Sequence, residues 1–164
     1  MSTLRVDNLR GQTADGTNRY VVQVVNGSSS GARTQSTSTS YADISGMTVT
    51  ITPLYSTSKV FIVANFPDTF VTNTNSANSL YLKCVRNIDG GSFSDVCLIS
   101  DRQGLTTPTA QEFMCSMSYS FLDSPSTTGV CIYKCQLKSF NTNQVNVGQQ
   151  SAGLVNITAM EIAQ

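Results

Sequence analysis

The chain has 164 residues, and its ten acidic and ten basic side chains cancel to a formal charge of zero. With only 12% charged residues, no field of one sign exists to recruit nucleic acid or an anionic membrane. The complete lack of histidine removes Ser-His and Cys-His nucleophile systems and histidine metal sites.

One domain is expected at this length. The longest apolar stretch, around Val60 to Ala64, falls far short of the roughly 20 residues of a membrane-spanning helix, so no membrane insertion is expected. The opening MSTLRVDNLRG places Arg5, Asp7 and Arg10 where a secretory signal would be continuously apolar.

Residues 1–19 are polar and Gly-punctuated, with Leu4 and Val6 alternating against Arg5 and Asp7. Such a terminal arm is expected to add to a sheet edge or to lie on a neighbouring subunit or another protein, because an isolated strand leaves its backbone groups without partners. A sandwich domain is expected over residues 20–164.

Tyr20 to Val25 is the first strong strand, and Asn26 to Ser40, rich in Ser, Thr and Gly, reads as a flexible loop. Met47, Val49 and Ile51 alternate with Thr48 and Thr50 up to Pro53, the pattern of a half-buried strand. Lys59 to Phe66 is apolar on both faces, with Phe61 and Val63 opposite Val60, Ile62 and Phe66. One sheet interior does not need that much apolar surface. The excess is buried either by a subunit interface at Phe61 and Val63 or by a second core layer closed by a loop.

Leu80 to Arg86 and Val96 to Ser100 flank Asp89, Gly90 and Gly91, the signature of a hairpin. Phe113, Cys115, Met117, Tyr119 and Phe121 alternate with Met114, Ser116, Ser118 and Ser120, a period of two with one apolar and one hydroxyl-rich face. This run and Val130 to Lys138 flank Asp123, Ser124, Pro125 and Gly129, which predicts a second, longer hairpin. Gln144 to Val147 and Leu154 to Ile162 close the chain. No run reads as a helix, so the expected class is all-β, an antiparallel β-sandwich of the jelly-roll type.

Five cysteines cannot all pair within the chain. Cys131 and Cys135, four residues apart in one strand, stand about 13 Å apart at about 3.3 Å per residue, too far for a bond that needs Cα atoms within about 7 Å. They read as small buried hydrophobes, and the local pairing to check is Cys84 with Cys97, across the first hairpin.

No two cysteines have zinc-knuckle spacing, and no Gly-rich loop opens a helix to cradle phosphate, so neither metal nor cofactor is expected. Asp89 with Asp95, or Asp101 with Glu112, has the composition of a glycosidase pair. Chance proximity on surface loops accounts for both, and no catalytic residue is assigned. No tryptophan offers a sugar platform; Tyr41, Tyr55, Tyr81 and Tyr133 read as strand and loop tyrosines before ligand contacts.

Three stretches, STSTSYADISGMTVTITPLYSTSKVFIVANF at 36–66, SYSFLDSPSTTGVCIYKCQL at 118–137 and the terminal ITAMEIAQ, resemble a jelly-roll module that recurs at the ends of tail fibres and tailspikes, and in capsid surface proteins, of tailed bacteriophages including cyanophages. The opening STLRVDNLRG resembles the first residues of phage virion appendage proteins. The resemblance implies a homotrimer on the outside of a virion, with no chemistry of its own.

Two placements follow from it. One is a capsid cement or decoration protein, whose arm residues Leu4, Val6 and Leu9 touch the major capsid protein or sister subunits and which reinforces the shell. With only residues 1–19 ahead of the first strong strand, this placement is favoured over a fibre that would need a shaft. The alternative is a receptor-binding distal module of a tail fibre or tailspike, holding a host cell-surface glycan in loops such as 26–40, 72–78 or 103–109. A cellular TNF-like or C1q-like ligand shares the trimeric sandwich but is normally secreted, which the opening segment argues against.

Overall fold

The computed structural model describes residues 19–28, 33–73, 77–105, 110–148 and 154–164. Ten strands carry the fold: β1 Tyr20–Ser28, β2 Thr34–Ser36, β3 Ala42–Ile51, β4 Lys59–Asn73, β5 Asn78–Ile88, β6 Ser94–Leu105, β7 Gln111–Asp123, β8 Cys131–Ser139, β9 Val145–Val147 and β10 Asn156–Ala163. There is no helix among the described residues.

Every ladder is antiparallel. Six strands form one sheet in the order β1-β10-β4-β9-β2, with β7 along the other edge of β4, and four form the second in the order β3-β8-β5-β6. The chain behaves as one long hairpin bent between β5 and β6. Its successive pairs, β5 with β6, β4 with β7, β3 with β8 and β1 with β10, wrap alternately onto the two layers. That is the jelly-roll arrangement of an antiparallel sandwich.

Period-two patterning explains why these segments are strands. Along β8, Cys131, Tyr133, Cys135, Leu137 and Ser139 are buried while the residues between them are half-exposed. In β4, Val60, Ile62, Ala64 and Phe66 point inward to meet Met47, Val49 and Ile51 of β3, Leu80 and Leu82 of β5, and Ile157 and Ala159 of β10 in one core. A β-sandwich core built this way removes about 1.5–3 kcal/mol worth of apolar surface from water per large side chain.

Three elements differ from the sequence expectation. The stretch 26–40 is not simply a loop: Asn26 to Ser28 continue β1, and Thr34–Ser36 form a strand on β9. β4 runs past Phe66 to Asn73, because a bulge between Phe66 and Thr69 opposes three steps of β4 to two of β7. The extra residue lets the strand pass Pro67, and Asp68 takes φ 53°. Finally, β7 and β8 do not form a hairpin. β7 pairs with β4 and β8 with β5 and β3, so the segment 124–130 crosses between layers. The two strands have similar alternation because each lines the same core from opposite sides.

The first hairpin is as expected. Asp89 and Gly90 both have positive φ, 49° and 77°, the conformation that turns a tight hairpin with the twist of its strands. Asn87 Oδ1 accepts from the Gly90 N–H at 3.0 Å.

Candidate subunit interface

Residues opposite one another in a ladder project from the same face, so register alone lays out the outer surface of the six-stranded sheet. One row across four strands reads Val24, Met160, Phe61, Leu122. The row on one side of it is Val21, Ile162 and Lys59, and on the other Asn26, Thr158, Val63 and Ser120. Phe61 and Val63 are therefore brought together on the outward face of β4, half-buried by their neighbours.

Val24 and Leu122 are 59% and 49% exposed, so the row is open at both ends, and Val21 beside it is 53% exposed. These residues, with Met160 and Ile162, were not singled out from sequence. Each is an ordinary apolar residue in its own strand, and only the cross-strand register makes them one stripe.

The next two rows, Asn26, Thr158, Val63, Ser120 and then Asn156, Asn65, Ser118, are polar apart from Val63 and hydrogen-bonded among themselves. Thr158 Oγ1 donates to Asn26 Oδ1 at 3.0 Å, Asn65 Nδ2 donates to Asn156 Oδ1 at 2.8 Å, and Ser118 Oγ donates to Asn65 Oδ1 at 2.6 Å. Polar groups already hydrogen-bonded to each other cost little to cover. Lys59 is the single charged side chain in the rows named here, and depletion of charge marks the centre of protein interfaces.

The outer face of the four-stranded sheet has the opposite character. Lys83 and Lys138 lie 4.4 and 4.8 Å from the ring centre of Tyr41, Lys138 lies 4.7 Å from that of Tyr81, and Lys134 lies 4.5 Å from that of Phe93. Lys83 pairs with Asp95 at 2.6 Å and Lys134 with Asp43 at 2.9 Å. Gln136 and Lys134 hold the Asp43 carboxyl below its ordinary value, with its partial burial working against them. This is a solvated, charge-laced face.

The candidate catalytic and ligand residues separate. Asp95 serves Lys83, while Asp89 Oδ1 accepts the Val130 N–H at 2.7 Å; the side chain of residue 101 lies outside the described residues. Tyr133 is fully buried and donates to Asp123 at 2.7 Å, whereas Tyr55 is 49% exposed. Among the described residues no group of three His, Cys, Asp or Glu side chains is placed to hold a metal ion. The arm residues Leu4, Val6 and Leu9 lie outside the described residues.

None of the five cysteines is in a disulfide. Cys84 does stand opposite Cys97, as the hairpin predicts, but it also stands opposite Cys135 on its other side. Burial pushes the Cys97 and Cys131 thiols up, and the Cys84 thiol, ahead of burial, pushes Cys135 up. Protonated thiols are poor nucleophiles, and these pack as small core side chains.

No protein-family model matches the chain. No curated protein matches it either. Among solved structures, Eiger TNF from S. frugiperda aligns over 86% of this chain and 92% of its own, with 7% identity and a TM-score of 0.46. A structure of infectious bursal disease virus, Gx strain, aligns over 97% of this chain at 9% identity and a TM-score of 0.39, and this chain spans 44% of that one. Likeness at this level carries no functional assignment.

Proposed function

We propose that this protein is a structural component of a virus exterior: a homotrimer that packs the outer face of its six-stranded sheet against sister subunits and decorates the capsid as a cement protein. The observation that carries the reading is the row Val24, Met160, Phe61, Leu122, an apolar stripe whose neighbouring rows carry a single charge, Lys59, on one face of a sandwich whose other face is charged. Burying it in a subunit contact removes from water the apolar surface that a lone sandwich leaves exposed. The sequence resemblance to phage surface modules supports the trimer and the virion setting.

In this role the protein does no chemistry. It bridges neighbouring capsomers and adds contact area that must be broken before the shell opens. The runner-up, the distal module of a tail fibre or tailspike, uses the same trimer at lower copy number.

The test is the mass of the purified protein by light scattering, together with Phe61→Asp. Three chains per particle for the parent, and monomers or insoluble chains for the variant, are expected; an undisturbed assembly in Phe61→Asp would overturn the interface. Electron cryo-microscopy of whole particles then separates hundreds of copies on the shell from a few dozen on the tail.

A further inference from the structure

A strand at the edge of a sheet presents a row of backbone donors and acceptors, and folded proteins guard such edges with short length, bulges, charges or proline. Among the described residues five strands lie at sheet edges, β1, β2 and β7 in one sheet and β3 and β6 in the other. Four are short or irregular. β2 has three residues, β1 shifts register between Val21 and Gln23, β3 shifts between Asp43 and Thr48, and β6 shifts three times against β5. β7 is the exception. It runs for thirteen residues along β4, the extra residue of the bulge in that ladder belongs to β4, and among the described residues no ladder runs along its other side.

The composition of β7 is equally unguarded. Phe113 to Leu122 holds no charge, proline or glycine, and on its outward face Met114 and Leu122 are 54% and 49% exposed.

A second copy of the same strand complements this edge. Residues directly opposite in an antiparallel pair share a face. About a twofold axis at Ser118, Met114 therefore meets Leu122 of the second copy, Ser116 meets Ser120, and the two Ser118 meet each other. On the inner face Met117 meets Tyr119. The exposed apolar residues cover one another and hydroxyls face hydroxyls, pairings that stabilise a ladder. An axis at Met117 would instead set Glu112 against Leu122, and one at Ser116 would carry Leu122 past Gln111, where β7 begins. The antiparallel sense also keeps the two Glu112 at opposite ends of the ladder. Asp123, opposite Phe113, keeps its carboxylate on Arg86 and Tyr133.

We propose that β7 is a pairing edge that joins two copies of this chain through an antiparallel ladder centred on Ser118. The contact continues the apolar outer row, since Leu122 ends that row and Met114 of the second copy extends it. A lone strand pair falls at the small end of specific interfaces, below roughly 1,200 Å², so it is weak in dilute solution and forms where copies are held side by side. Each β7 edge is used up by its counterpart, which closes the contact.

The experiment follows the mean mass of the purified protein by sedimentation equilibrium over a rising concentration series. The parent should climb to at least twice its dilute value. Ser118→Lys and Ser118→Glu each set like charges against each other across the axis, and each should hold the dilute mass throughout. Mixed in equal amounts they should recover the climb, and high salt should remove it again. Position 118 is exposed, so both variants should melt close to the parent. Met114→Glu, also at an exposed position, should likewise hold the dilute mass and covers the case in which the position-118 variants misfold.

The trimer is read separately, because Phe61→Asp changes the dilute mass whereas the Ser118 variants change only its rise. A parent mass independent of concentration, an undiminished rise in Ser118→Lys or Met114→Glu, or a lysine and glutamate mixture that stays at the dilute mass would overturn the proposal.

Discussion

Glu161 is the residue whose placement least resembles its type. It points inward from β10, fully buried, and is accommodated because Gln23 Nε2 donates to it at 2.6 Å and the Leu54 and Tyr55 N–H groups at 2.8 and 3.3 Å. Burial alone would raise this carboxyl; the donors, Gln23 first, hold it below its ordinary value of 4.5. A depressed native value means the carboxylate stabilises the fold above the unfolded-state value and loses that contribution as pH falls through the native one. Glu161→Gln should therefore cost about 1.5–3 kcal/mol at neutral pH, and the gap to the parent should narrow below about pH 4. Urea denaturation at pH 7 and pH 3 measures it, and an unchanged gap would refute the assignment.

Gly27 makes a second test at this scale. A Cβ there would run into the Thr48 carbonyl of β3, so glycine is what allows β1 and β3 to approach at the sandwich edge. Gly27→Ala should destabilise by about 1–3 kcal/mol through overpacking, seen as a lower thermal midpoint with the same far-ultraviolet spectrum.

Among the elements, the ends of β5, β7 and β8 are joined by one polar cluster. The Arg86 guanidinium pairs with Asp123, and Tyr133 donates to the same carboxylate oxygen at 2.7 Å. Burial, with Asp123 after it, pushes the Tyr133 phenol far above its ordinary value, so it remains a donor. Because Asp123 belongs to one sheet and the other two to the opposite sheet, the cluster clamps the layers where the chain crosses between them. Asp123→Ala leaves the arginine charge partly buried and alone, which should cost about 3 kcal/mol, the lower end for such a pair. Arg86→Met combined with Asp123→Leu should recover much of that loss, and denaturant midpoints of the single and double variants decide it.

β4 organises the whole molecule. Its fifteen residues carry β7 on one edge and both β10 and β9 on the other, so the core and the apolar outer row both hang on it. Closure comes last in sequence: β10 slots between β1 and β4, pairing segments at opposite ends of the described chain. Such non-local pairing makes folding slow, on the order of milliseconds to seconds. Ending the chain before Asn156 should leave the β4 edge and Val60, Ile62 and Ala64 uncovered and yield insoluble protein; a soluble product with native-like amide protection would show the closure is dispensable.

What could be read from the sequence were features decided within a few residues. The alternation at 113–121, the Asp89-Gly90 turn, the missing histidine and the two-faced apolar character of Lys59 to Phe66 are local, and they led to an all-β sandwich with Phe61 and Val63 facing outward. Which layer each strand joins was not readable, since β7 and β8 present equally good apolar faces and find their partners only across the fold. The same holds for the stripe, where Val24, Met160 and Leu122 gain meaning from the register they share with Phe61. Periodicity is a property of neighbours along the backbone, whereas register and layer depend on what the folded chain brings alongside.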